Sequence, residues 1–114
     1  MSDPKAQPAA PSTALTGKQR KFLRGLAHGL EPLVHVGKHG LTDALIRNLD
    51  EVLEHHELVK VKFLDFKDEK KELVAEMEQR LDCESAGTIG HHAILFRAAR
   101  QPDHRQIRLP KNRS

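Results

Sequence analysis

The sequence predicts an α/β fold, α-β-α-β-α-β-β, with a four-stranded mixed sheet and helices packed on it. Three observations predict it. Apolar residues recur at helical spacing in three segments, near 16–28, 42–56 and 68–81. The segment Leu58 to Leu64 alternates with the period of two that marks a strand. The last third holds two shorter segments parted by Gly90. A sheet covered by helices is the simplest way to bury these stripes together.

The elements follow in order. Residues 1–14 carry Pro4, Pro8 and Pro11 among Ala and Ser and read as a flexible tail, without the apolar run of a signal peptide. The domain is expected over 15–110, with a short basic end at 111–114. Thr16 is a helix N-cap, and Gln19 three residues later completes a capping box. Phe22, Leu23, Leu26 and Leu30 form the inward stripe, and Gly29 and Pro32 end the helix. Leu33 to Val36 is a short strand that stops at the turn Gly37-Lys38-His39-Gly40. A second helix starts at Leu41 or Thr42 and ends near His55-His56, with Leu45, Leu49, Val52 and Leu53 inward. In the strand 58–64, Val59, Val61 and Phe63 face one way and Lys60, Lys62 and Leu64 the other. A third helix runs from Asp68 to Leu81, with Leu73, Met77 and Leu81 inward. Glu84 to Ile89 is a weak strand, His92 to Arg97 a firmer one, and Ile107 to Leu109 a short edge segment.

Composition narrows the function. The chain has 114 residues, one domain's worth, and a net charge of +3. That charge is unevenly spread: +4 over 1–47, −6 over 48–84 and +5 over 85–114. Folding that joins the ends makes a basic face, the footprint of a phosphate binder. The acidic stretches 50–57 and 69–84 read as solvated helix faces with pairs such as Glu76 and Arg80. The four Phe, with no Trp or Tyr beside them, are assigned to the core. Contact with RNA is therefore expected through backbone and shape, because base stacking needs exposed rings. One cysteine excludes an internal disulfide and suits a reducing cytoplasm.

The most informative segment runs from Val34 to Asp43. Two glycines let the backbone turn tightly and approach a ligand. The following helix offers unpaired N–H groups and a dipole of roughly half a positive charge at its start. Lys38 adds a full charge and His39 a donor. A Gly-x-x-Gly loop of this kind clamps the nucleic-acid backbone in KH modules. Gly37, Lys38, His39 and Gly40 are thus the expected grip. Lys18, Arg20, Lys21 and Arg24 extend it along the first helix, and Arg97, with Arg100, Arg105 and Arg108, flanks it.

Other chemistry is less well supported. The adjacent pairs His55-His56 and His91-His92 do not converge on a metal, and His55 and His56 suit a helix C-terminus. Cys83 lies between Asp82 and Glu84, which oppose a thiolate, and reads as a small semi-buried side chain. No catalytic carboxylate pair or Walker-type loop is visible, so no enzyme, metal or cofactor is expected.

Several stretches resemble one family. Leu15 to His28, Val36 to Thr42, His56 to Lys62, Ile89 to His91 and Ala93 to Arg97 are similar, in order, to YhbY-like proteins. These are the bacterial stand-alone form of the CRM RNA-binding domain. The resemblance implies a fold similar to the C-terminal domain of bacterial translation initiation factor three. It also implies RNA binding, linked to precursors of the large ribosomal subunit; a monomer is expected. The family's Gly-x-x-Gly falls on Gly37 to Gly40, and its basic first helix on Lys18, Arg20, Lys21 and Arg24. Glu84 to Thr88 departs from the family's apolar third strand, which is expected to be frayed or shorter here. The alternative is a protein-interaction adaptor acting through the acidic helices.

Overall fold

The computed structural model describes residues 15–110. The expected tail 1–14 and basic end 111–114 lie outside the described residues. The elements are α1 Gly17–Ala27, β1 Val34–Val36, α2 Asp43–His56, β2 Leu58–Phe63, α3 Lys70–Leu81, β3 Glu84–Ile89 and β4 His92–Phe96. A 3₁₀ turn follows at Pro102–His104. The sheet order is β1-β2-β4-β3. β1 and β2 run parallel; the other pairs are antiparallel. This is the expected α/β order with a mixed sheet. Among the described residues no helix is long and apolar enough to cross a membrane.

The sheet is covered on both faces. Val34, Val36, Val59, Val61, Phe63, Ala93 and Leu95 pack against Ile46, Leu49 and Leu53 of α2 and Val74, Met77 and Leu81 of α3. On the other face, Leu58, Ala86, Ile94 and Phe96 meet Leu23 and Ala27 of α1, with Ile107 and Leu109 beside them. The alternation read in β2 thus holds. The starts of α1 and α2 are also as expected, whereas α3 begins at Lys70, two residues after the expected Asp68. The Gln19 amide donates to Thr16 Oγ1 at 3.1 Å, and the Thr16 amide to Gln19 Oε1 at 3.1 Å. Gln19 Nε2 then reaches the Pro110 carbonyl at 3.0 Å and holds the C-terminal segment beside α1.

The stripe of α1 needs correction. Phe22, Leu26 and Leu30 are exposed, at 38%, 44% and 40%. The apolar contact of the helix with the sheet is made by Leu23 and Ala27, one turn apart, and among the described residues no further layer covers its outer side. Phe66, also assigned to the core, is 39% exposed.

β3 differs from expectation too. It is a full six-residue edge strand. A bulge sets Ser85 against Leu95 and Gly87 against Ile94, skipping Ala86. Ala86 is fully buried under α1. Gly87 has φ +131°, and a Cβ there would come within 3.1 Å of Arg24 Cδ. The residues that look like poor core material are small because a helix lies close on them.

α2 passes into β2 through one residue. Glu57 has φ 62° and reverses the chain without a loop. Its amide closes α2 on the Leu53 carbonyl at 2.8 Å, and its carbonyl accepts from the Arg97 amide at 2.9 Å. Its carboxylate is fully buried. Oε2 accepts from the Ala99 amide at 2.7 Å, and Oε1 from the amides of Gln106 and Ile107 at 2.7 and 2.8 Å. The reading of 50–57 as a solvated acidic face fails here. A buried carboxylate persists only where donors replace its water. Replacing Glu57 by Ala strands three donors. It should lower unfolding stability by at least about 3 kcal/mol, by the usual value of charge-assisted bonds. Urea denaturation measures this, and amide exchange at Gln106 and Ile107 should accelerate.

Candidate nucleic-acid interface

The Gly37–Gly40 loop closes on itself, with the Gly40 amide donating to the Gly37 carbonyl at 3.0 Å. Gly40 takes φ +69°, which a side chain rarely adopts. Lys38 and His39 occupy the tip and are exposed. The chain then enters α2 through Thr42, whose Oγ1 accepts from the Leu45 amide at 3.1 Å. Helix geometry leaves the first amides of α2, at Asp43 and Ala44, without intrahelical acceptors. Asp43 adds a negative charge to this turn, partly matched by Arg80 at 3.4 Å.

The loop is fixed from below. The Val36 carbonyl accepts from the amides of Leu64 and Asp65 at 2.9 and 3.2 Å. The Phe63 amide donates to the His91 carbonyl at 2.8 Å, and Lys70 Nζ donates to the Gly90 carbonyl. The Gly37–Gly40 loop, the turn after β2 and the β3–β4 hairpin therefore share one end of the sheet.

Strand register reveals a basic strip that the sequence reading missed. His35 pairs with Lys62, Lys62 with His92, and His92 with Ile89. Directly paired residues point to the same face. Here it is the α1 face, because Val34, Val61 and Ala93 one position along lie in the α2–α3 core. Yet α1 covers the sheet farther from the loop, over Ile94, Phe96 and Ala86. His35 and Ile89 are exposed; Lys60, Lys62 and His92 are half-buried. None of these positions is acidic. The alternation of β2 already placed Lys60 and Lys62 on this face. What it lacked was the knowledge that α1 stops short of them.

The basic residues of α1 divide. Lys18 and Lys21 are exposed and flank a shallow groove with Phe22, Gly25, Leu26 and Pro110. Arg20 and Arg24 are tied to β3. Arg20 pairs with Glu84 at 2.8 Å, and Arg24 Nη1 donates to the Ala86 carbonyl at 2.7 Å. β3 is the edge opposite β1, about 14 Å away by strand spacing. Lys60 and Lys62 of β2 and His92 of β4 lie within that gap.

Arg97 stands apart from the expected surface. It is 6% exposed. Nη1 donates to Asp50 Oδ1 at 2.7 Å and to the Leu81 carbonyl at 3.1 Å, and Nη2 to the Asp50 carbonyl at 3.0 Å. Glu54 lies 3.7 Å away. A guanidinium so enclosed has no free side for a phosphate, so Arg97 is removed from the candidate interface. Arg100 is exposed but leans toward Asp50 at 3.6 Å, and Arg105 Nε donates to the Ala99 carbonyl at 2.8 Å.

The remaining titratable groups serve the fold. Cys83 is buried. Its thiol is pushed up to about 12, first by burial and then by the Glu78 carboxylate, with Arg97 opposing. Glu84 instead accepts from Arg20 and the Leu15 amide. The Glu54 carboxyl is held below its ordinary range, chiefly by the Arg100 amide. His55 Nδ1 approaches the Glu51 carbonyl at 2.9 Å within the last turns of α2, as a helix C-terminus favours.

The family model of the CRS1/YhbY (CRM) domain matches residues 15–97. A Haemophilus influenzae protein named as an RNA-binding protein is 37% identical over 100 residues, spanning 87% of this chain and 98% of its own length. YqeI of Bacillus subtilis is 40% identical over 97 residues, spanning 84% and 99%. The solution structure of SAV1595 from Staphylococcus aureus superposes with a TM-score of 0.73 at 36% identity, over 85% of this chain and 100% of that one.

Two outcomes are expected. Arg97→Met leaves Asp50 and the Leu81 carbonyl without their partner and should lower stability by about 3 kcal/mol in urea denaturation. Cys83 stays a neutral thiol well above neutral pH, because its raised pKa favours the protonated form. Iodoacetamide at pH 8 should therefore label the native protein far more slowly than the urea-unfolded chain, measured by mass spectrometry.

Proposed function

This chain belongs to the CRS1/YhbY (CRM) domain family, and on that premise we propose that it is an RNA-binding module for structured ribosomal RNA. It acts in assembly of the large ribosomal subunit, in the cytoplasm, as a monomer and without turnover. The observation that carries this reading is the continuity of the loop with an acid-free basic strip. Gly37 to Gly40 and the start of α2 present amides and Lys38 to a phosphate. His35, Lys60, Lys62 and His92 continue across the open part of the sheet to Arg24, with Lys18 and Lys21 beyond. Contacts of this kind follow the shape of a folded RNA more than its sequence.

The adaptor reading loses ground on the same geometry. Asp50, Glu54 and Glu57 are used inside the protein, by Arg97, Arg100 and the C-terminal amides. Glu57 is enclosed, and the charges of Asp50 and Glu54 are already matched by arginines of the same chain.

Binding to large-subunit rRNA fragments across a salt series tests the proposal, with small-subunit fragments for comparison. Lys38→Asp/His39→Asp should fold normally, since acids are tolerated at a helix start, yet lose most of its affinity. Lys62→Ala should weaken binding modestly and reduce the salt slope by about one. If the double variant binds like the wild type, the grip is on α1 and the loop assignment is wrong. Equal binding to both sets of fragments removes the large-subunit assignment.

A further inference from the structure

The turn after β2 holds an aromatic ring that neither the core nor the phosphate contacts use. Phe66 is 39% exposed. Its backbone has φ 59°, a region that bulky residues seldom enter. The turn enforces it. Leu64 and Asp65 are fastened to the Val36 carbonyl on one side, and the Glu69 amide donates to the Phe66 carbonyl at 3.1 Å on the other. The ring rests on the loop. A Cβ at Gly40 would lie 3.6 Å from Phe66 Cε2 and 3.8 Å from Cζ. Packing against Gly40 needs only apolar bulk, which an aliphatic side chain supplies. A half-exposed aromatic in strained backbone, at the rim of a phosphate-binding loop, is the pattern of a functional position.

We propose that Phe66 is a stacking platform for an unpaired RNA base whose backbone is held by the Gly37–Gly40 loop. This rests on the loop reading above. The neighbouring charges set the orientation. Asp65, Asp68 and Glu69 lie in the same turn and repel a phosphate. Lys38 and the first amides of α2 attract one. A nucleotide at this end of the sheet thus has its phosphate at the loop and its base toward the ring. Paired bases inside a helix cannot reach an aromatic face; bases in bulges, loops and ends can. The ligand is therefore a structured RNA with an unpaired nucleotide beside a helix.

The chain has no Trp or Tyr, so Phe66→Trp is a single fluorescent reporter. The probes are a hairpin RNA with an adenosine bulge and the same hairpin fully paired. Phe66→Leu keeps the apolar contact with Gly40 and removes the ring. It should bind the bulged hairpin about tenfold more weakly and the paired one unchanged. The emission of Phe66→Trp should be quenched by the bulged hairpin only. The wild type provides a readout without substitution: the ring protons of Phe66 should move upfield on binding the bulged hairpin. Equal binding of Phe66→Leu and wild type to the bulged hairpin, or unmoved Phe66 ring protons at saturation, overturns stacking. Lys38→Asp/His39→Asp measured alongside separates the two ideas. Its loss of affinity with Phe66→Leu unaffected leaves the loop reading standing and removes the platform. Failure of the wild type to bind either hairpin removes both.

Discussion

The buried carboxylate of Glu57 is the constraint on which the architecture turns. Glu57 links α2 to β2 and takes the Arg97 amide on its backbone carbonyl, while its carboxylate collects three amides from the C-terminal segment. The end of β4 and the C-terminal segment, both distant in sequence, are thus tied to the α2–β2 junction. Removing an anion from water is expensive, and only a full set of donors offsets it. Arg97 adds the opposite charge nearby, locked onto Asp50 and the end of α3. With α2 anchored at its C-terminus, its N-terminus is held where β1 ends. The Gly37–Gly40 loop, at the other end of this 14-residue helix, is thus held both by α2 and by the Val36 carbonyl beneath it.

Much of this was legible in the sequence, and the gaps have physical causes. The Thr16–Gln19 capping box, the alternation of β2 and the order of elements depend on neighbours within a few residues, so local patterns expose them. Glu57 and Arg97 do not behave this way. Glu57 sits at the end of an acidic helix and looks like any solvated carboxylate; its partners lie more than 40 residues away. Arg97 looks like one of several C-terminal cations, and only the fold turns it inward. Phe22 and Phe66 misled for the opposite reason. Scarce aromatics are normally claimed by the core, but a helix touching the sheet at Leu23 and Ala27 has no place for a third side chain. Ser85-Ala86-Gly87 looks weak by strand propensity, which takes no account of the helix that lies on it.

The candidate interface was half visible. The loop announced itself by composition, since two glycines before a helix start mean the same thing in any fold. The strip formed by His35, Lys60, Lys62 and His92 did not, because it exists only through strand register. Its members come from three strands, and His35 and His92 are 57 positions apart in the chain. No window along the sequence contains them together.

Charge segregation in this protein is a product of strand parity as much as of segment composition. The middle of the chain is acidic, with its carboxylates divided between α2 and α3 and the segments that border them. Lys60 and Lys62 belong to the same acidic stretch, yet the pleat turns them through the sheet to the side where α1 lies. Shifting β2 by one residue would bury both lysines among Leu49, Leu53 and Met77 and push Val59, Val61 and Phe63 into solvent. The core therefore fixes the register, and the register fixes which face is basic. A surface suited to phosphate arises here from the same period-two pattern that fills the interior, so the fold and the interface cannot be altered independently along this strand.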